Sequence, residues 1–243
     1  MKIKYFTLPN IITLCNLLSG CFAALCAVAH IWSPVEVSLK LPLLFIVASA
    51  IFDFLDGLSA RLTGQYSPLG VQLDSLADMV SFGVVPALTL TAMFSAAGGE
   101  GWWWLICLSV ALCSALRLAR FNIDEEQHEK FIGLPTPALA LAIGSLAWAM
   151  ESGVVALSPS IILAISVVGA WLLISPIGMF SLKFRSLSLG EPVNRLRYLF
   201  VVAAAAIAII GGPAWVWCII VLYILLSIVV EIAGCCKNKT KRA

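Results

Sequence analysis

Residues 52–83 read FDFLDGLSARLTGQYSPLGVQLDSLADMVSFG. Asp53 and Asp56 stand three residues apart, and Asp74 and Asp78 four apart. On helices each pair shares one face. Both pairs sit in runs that are otherwise apolar, spanning about 41–62 and 70–97. A short turn containing Gly64, Ser67 and Pro68 separates the runs. That turn makes the two helices antiparallel neighbours and lets the carboxylate pairs converge.

Outward from this segment the same apolar character continues. Of the 243 residues, 61% are apolar and 12% charged, against roughly 45–50% and about 25% in soluble domains. Further apolar runs near 10–32, 102–121, 136–151, 160–180, 197–211 and 214–234 are each near the roughly 20 residues that a bilayer core requires. Ser33-Pro34, Gly98-Gly99, Ser158-Pro159 and Gly211-Gly212-Pro213 punctuate them. The expected fold is all-α: one polytopic membrane domain over 1–243 with about eight transmembrane helices. The basic, then apolar, N-terminus is like a signal peptide. Its apolar part runs on to Trp32 without a small-residue cleavage site, so an uncleaved first span is expected.

Charge supports this division. With alternate connections assigned to one side, every one of the 15 Lys and Arg residues except Lys40 falls on that side. The positive-inside rule then places both termini in the cytoplasm of an integral protein of a bacterial-type cell membrane. A net charge of +2 without an aromatic-interleaved basic run excludes a nucleic-acid partner. The eight cysteines have no metal-site spacing and read as reduced, small hydrophobes.

Each aspartate within a membrane costs roughly 2.5–3.5 kcal/mol, so four deep ones cost on the order of 10 kcal/mol. Solvated rim positions, protonation or a bound cation would each relieve that cost. Four oxygen donors suit a hard divalent ion such as Mg²⁺ or Mn²⁺ rather than zinc, and their formal charge balances two such ions. A two-metal site for phosphoryl chemistry fits this set, and so does an ion-transport path. Gly57 and Ala60 let a bulky ligand or a neighbouring helix approach closely. Arg61 offers a guanidinium for a phosphate.

The spacing Asp53-x₂-Asp56-Gly57-x₂-Ala60-Arg61-x₈-Gly70-x₃-Asp74-x₃-Asp78 resembles, without departure, the signature of the CDP-alcohol phosphatidyltransferases. A chance match at ordinary residue frequencies is on the order of 10⁻¹⁰ per starting position. LPNIITLCNLLSG at 8–20, RLARFN at 117–122, FIGLPTPA at 131–138 and MFSLKFRSLSL at 179–189 look like the integral-membrane, serine-using branch. The resemblance covers a core of about 8–190, leaving 191–243 as the last two spans and a basic tail.

The resemblance implies that Asp53, Asp56, Asp74 and Asp78 hold two divalent ions, Mg²⁺ or Mn²⁺, and that Asp78 is also the general base. Gly57, Arg61 and Ser67 would contact the CDP moiety, beside Ala60, and Gly70 would let the loop enter the third helix. The implied reaction is CDP-diacylglycerol plus L-serine giving phosphatidylserine and CMP, by direct in-line attack at the cytoplasmic side. It also implies a homodimer. Arg117, Arg120 and Asn122 are candidates for the serine carboxylate, and Lys183 and Arg185 for that group or a lipid phosphate. Asn10, Thr13 and Asn16 either face the donor lipid or hydrogen-bond to neighbouring helices. Two alternatives stay open: the same chemistry with glycerol 3-phosphate, an inositol phosphate or choline as acceptor, and an ion-coupled transporter.

Overall fold

The computed structural model describes the backbone of residues 5–123, 132–179 and 192–240, with side chains for 5–123, 132–179 and 196–231. Nine α-helices follow one another within those residues: α1 (Leu8–Trp32), α2 (Leu41–Thr63), α3 (Pro68–Asp78), α4 (Val85–Ala96), α5 (Ser109–Ile123), α6 (Thr136–Glu151), α7 (Pro159–Ile174), α8 (Pro192–Gly211) and α9 (Val216–Thr240). A π-helical turn, Met79–Val84, joins α3 to α4 in one continuous rod, and 3₁₀ turns precede α5 and α9. Proline recurs in the first turn of these helices, as in α1, α2, α3, α6 and α7. Its missing N–H costs nothing there.

Among the described residues, five stretches are long and apolar enough to cross a bilayer: Leu8–Trp32, Leu41–Thr63, Pro68–Ala96, Gly101–Ile123 and Leu196–Glu231. The first four match expected spans. The expected total of about eight is not reached by that measure, for two physical reasons. Helices α6 and α7 have only 16 residues each, about 24 Å at 1.5 Å per residue, short of a hydrocarbon core of about 30 Å. The expected spans 197–211 and 214–234 both fall in the apolar stretch Leu196–Glu231, which folds back on itself at the 3₁₀ turn Gly212–Trp215, so that Phe200 and Tyr223 meet with ring centroids 6.0 Å apart. The domain boundary expected near residue 190 lies outside the described residues.

Helix α1 packs along α2 more extensively than any other pair, and also along the rod of α3 and α4. Small residues permit this closeness. A Cβ on Gly20 of α1 would collide with the Ser81 side chain, and one on Gly144 of α6 would lie 3.2 Å from Leu43 and Ile46 of α2. Two buried clusters fill the interior, one of Ala23, Ile46, Phe82, Val85 and Ala140, the other a larger set from α4 to α7. Large apolar side chains such as Phe54, Leu112, Leu116 and Leu199 point outward. This is the arrangement expected where the surrounding solvent is lipid. The six described cysteines are free thiols, in keeping with the structural reading of their sequence positions.

At the end of the bundle away from the aspartates, Glu151 of α6 reaches the start of α2. Its carboxylate accepts from the backbone N–H groups of Leu39 (3.1 Å) and Lys40 (3.1 Å) and from the Ser38 hydroxyl (2.7 Å). A carboxylate placed at otherwise unsatisfied donors there complements the helix dipole. This fixes α2 at one end, so that its other end can carry the acidic face.

Candidate active site

The turn between α2 and α3 sets the register of the four aspartates. Gly64 ends α2 in a left-handed conformation (φ +65°). Ser67 caps α3, its hydroxyl accepting from the Gly70 N–H at 3.0 Å, and Pro68 opens the helix. Asp53, Asp56 and Asp74 then meet: each offers a carboxylate oxygen, and these oxygens all lie within 4.8 Å of one another. Asp56 is buried, and the other two are half-buried. One oxygen of Asp74, Oδ1, is buried and has no hydrogen-bond partner among the described residues.

Three clustered carboxylates and an orphaned buried oxygen fit a hard divalent cation. An all-oxygen donor set is what such ions take. Without one, like charges in a low-dielectric setting repel, and an unsatisfied buried acceptor carries its desolvation cost uncompensated. Asp53, Asp56 and Asp74 are the residues that would hold the ion.

Asp78, expected in the same ligand set, stands outside that trio, one helical turn beyond Asp74. It remains within electrostatic reach of Asp53 and Asp74, and Asn16 of α1 donates to its Oδ1 at 3.2 Å. Asn16 is fully buried. Its own side-chain oxygen accepts from the Ser81 hydroxyl at 2.8 Å, which fixes the orientation of the amide, and its carbonyl lies 3.2 Å from the Ser49 hydroxyl. Ser81 lies in the π turn, a feature frequent at functional sites, and reaches α1 over Gly20. Thr13, one turn before Asn16, donates to Asp56 Oδ2 at 2.6 Å. Thr13 and Asn16 hydrogen-bond to neighbouring helices, where their partners are the acidic residues, and Asn10 and Thr13 also face the cleft beside the trio. The spacing Asn10, Thr13, Asn16 on one face of an apolar span was the available signal.

A cleft of about 160 Å³ opens beside the trio. Its walls are Pro9, Asn10 and Thr13 from α1, Asp56, Gly57 and Ala60 from α2, Gln65, Tyr66 and Ser67 from the turn, and Gly70, Val71 and Asp74 from α3. A Cβ on Gly57 would meet nothing within 4 Å, so Gly57 widens the cleft and does not serve helix packing. At Gly70 a Cβ would lie 3.2 Å from Asn10 Oδ1 and from Ser67 Oγ. Gly70 therefore admits α1 to the cleft, while entry into α3 is the work of the Ser67 cap. Arg61 is exposed and is not among the cleft walls.

Arg117 and Arg120 of α5 line a second cavity of about 310 Å³ with Leu116, Ile132, Leu173, Ile174 and Ser175. Among the described residues the buried Arg117 Nε has no hydrogen-bond partner, and its guanidinium is within electrostatic reach of Asp78. Asn122 does not line this cavity; its side-chain amide donates to Ser75 of α3 at 2.8 Å, tying the end of α5 to the acidic helix. Lys183 and Arg185 lie outside the described residues.

The sequence model of the family described as CDP-alcohol phosphatidyltransferase matches residues 6–174. The chain is 35% identical over 227 residues to the CDP-diacylglycerol–serine O-phosphatidyltransferase of Mycobacterium tuberculosis, covering 89% of this chain and 75% of that protein. It is 32% identical over 231 residues to the protein of the same name from Methanocaldococcus jannaschii, covering 95% and 97%. The archaetidylserine synthase of Methanothermobacter thermautotrophicus is 33% identical over 145 residues, 58% of each chain.

Proposed function

Since the chain belongs to the CDP-alcohol phosphatidyltransferase family, we propose that it transfers the phosphatidyl group of CDP-diacylglycerol to the hydroxyl of L-serine, releasing CMP. The convergence of Asp53, Asp56 and Asp74 beside a cleft, with Asp78 held separately by Asn16, carries this reading. The names of the relatives supply the acceptor.

The serine hydroxyl oxygen attacks the phosphorus that bears the diacylglycerol. The new P–O bond forms as the bond to the CMP oxygen breaks, and the hydroxyl proton passes to the Asp78 carboxylate. A general base must stand within hydrogen-bond reach of the proton it takes, and the Asn16 amide orients Asp78 for that contact. Divalent cations, Mg²⁺ or Mn²⁺ and two in number, one of them held by Asp53, Asp56 and Asp74, would supply charge neutralisation on the diphosphate and its leaving group. Thr13 holds the Asp56 carboxylate in place, and Gly57 and Ala60 leave room for the donor's diphosphate and cytidine, with Ser67 beside them. Among the described residues neither His nor Cys lines the cleft, which favours direct transfer. Radiolabelled phosphatidyl recovered on denatured protein would count against it.

Arg117 and Arg120 bind the serine carboxylate in this reading, with Asn122 securing the helix that carries them. Replacing Arg117 with Ala is expected to raise the apparent KM for serine by roughly tenfold or more, the size of a lost charge-assisted hydrogen bond, while the KM for CDP-diacylglycerol stays put. An unchanged serine KM removes Arg117 from the pocket.

Eight spans belong to the same proposal, with α6 and α7 as short ones and Leu196–Glu231 divided at its 3₁₀ turn. So do cytoplasmic termini, a cytoplasmic active site and a homodimer, the last checked by the mass of the solubilised protein. The reaction itself is tested by giving purified protein CDP-diacylglycerol with serine, glycerol 3-phosphate, an inositol phosphate or choline, and measuring CMP. Release with serine alone is expected. Release with another alcohol moves the enzyme to a different branch, and cation flux into liposomes without CDP-lipid revives the transporter.

A further inference from the structure

The last helix carries a carboxylate that the transfer chemistry leaves unused. Glu231 is the sole acidic residue of 196–231, and an ionisable group in so apolar a stretch is expensive unless it does something. It accepts from the Gly178 backbone N–H through Oε2 at 2.8 Å. Gly178 in turn forms an antiparallel bridge with Ile132. The Gly133 N–H donates to the Ile177 carbonyl and the Leu134 N–H to that of Leu172, both at 2.9 Å. Gly133 has a φ of +78°, and a Cβ there would run into the Leu173 carbonyl oxygen, so the two segments lie backbone against backbone. Ile132 from one and Leu173, Ile174 and Ser175 from the other are walls of the cavity that holds Arg117 and Arg120.

Helix α9 presents more than Glu231 to this region. Tyr223, Ser227 and Glu231 recur at four-residue spacing on one side of the helix. Ser227 is buried, and Tyr223 is within electrostatic reach of Arg117. Residues 178 and 231 both lie beyond the 6–174 matched by the family's sequence model.

We propose that Glu231 is a positioning residue for the acceptor: by clipping Gly178 it fixes the wall of the Arg117–Arg120 cavity and so the fit of an amino-acid carboxylate within it. This rests on that cavity being the acceptor pocket. The test uses the full-length solubilised protein and follows kcat, both KM values and the melting midpoint. Glu231→Ala is expected to raise the serine KM about tenfold, the weight of one hydrogen bond to a charged group, with the KM for CDP-diacylglycerol unchanged. Glu231→Gln retains an acceptor oxygen for the Gly178 N–H and is expected to restore the serine KM to within about twofold of wild type. A serine KM that stays normal in Glu231→Ala while it rises in Arg117→Ala overturns the clip and leaves the pocket standing. Normal serine KM values in both variants overturn the pocket and the clip together. A lower melting midpoint in Glu231→Ala with both KM values normal marks Glu231 as a structural anchor and also overturns the proposal.

Discussion

Replacing Asp78 with Asn is expected to lower kcat for CMP release by about two to four orders of magnitude, the range that a positioned general base contributes. The fold should survive, because the substitution changes one atom of a side chain whose surroundings are already polar. Asn16 donates to Asp78 Oδ1 at 3.2 Å, and an asparagine carbonyl oxygen accepts that bond equally well. What the amide cannot do is take a proton from the serine hydroxyl. Binding of CDP-diacylglycerol should change little, since Asp78 is not among the walls of the cleft beside the trio.

The same substitution should leave the melting midpoint of the solubilised protein at or above that of wild type. Asp78 lies within electrostatic reach of Asp53, Asp74 and Asp56. Neutralising it relieves repulsion from three acidic neighbours in a poorly screened site, which outweighs the lost attraction to the cation Arg117, as is common when a functional residue that strains its surroundings is neutralised. Activity lost with stability retained separates a chemical role from a structural one. Turnover within tenfold of wild type would exclude Asp78 as the base and shift attention to the trio before it.

The contrast between Asp78 and its three partners shows where sequence reasoning stops. Helical periodicity alone places Asp53 with Asp56 and Asp74 with Asp78, and the Gly64–Pro68 turn brings the pairs face to face; the structure does bring three of the four together. Periodicity does not say that Asp78 turns to Asn16, because that bond joins residues 62 positions apart and depends on a π turn that no residue pattern announces. Helix lengths illustrate the same limit from another side. Apolar composition marks 136–151 and 160–180 as spans, but Glu151 is spent on the start of α2, and α7 ends at Ile174 where the chain turns to pair with Ile132–Leu134. The Arg117 cavity was visible only as two arginines near a helix end. Its walls come from backbone pairing between distant segments, and the carboxylate that secures one of them lies in a span whose sequence reads as inert.

Removing divalent cations is expected to stop CMP release completely, and adding back Mg²⁺ or Mn²⁺ to restore it. The trio's oxygens lie within 4.8 Å of one another, an upper bound a little above the span of about 4.2 Å that two Mg²⁺–oxygen bonds of about 2.1 Å cover. Thr13 occupies Asp56 Oδ2 at 2.6 Å, which holds that carboxylate still and leaves its second oxygen for a ligand. Asp74 Oδ1, buried and unpartnered, is the group with most to gain. An ion that binds the folded protein raises its stability by mass action, about 2.7 kcal/mol at a hundred times its Kd, so metal should raise the melting midpoint even without substrate. Asp56→Ala and Asp74→Asn should each abolish that rise together with turnover, whereas Asp78→Asn should lose turnover and keep the rise, since its side chain stands outside the trio. A chelator that left headgroup transfer intact, or a melting midpoint indifferent to Mg²⁺ and Mn²⁺ in the unsubstituted protein, would mean that these carboxylates offset their burial by some other means and that the cleft beside them is not a phosphoryl-transfer site.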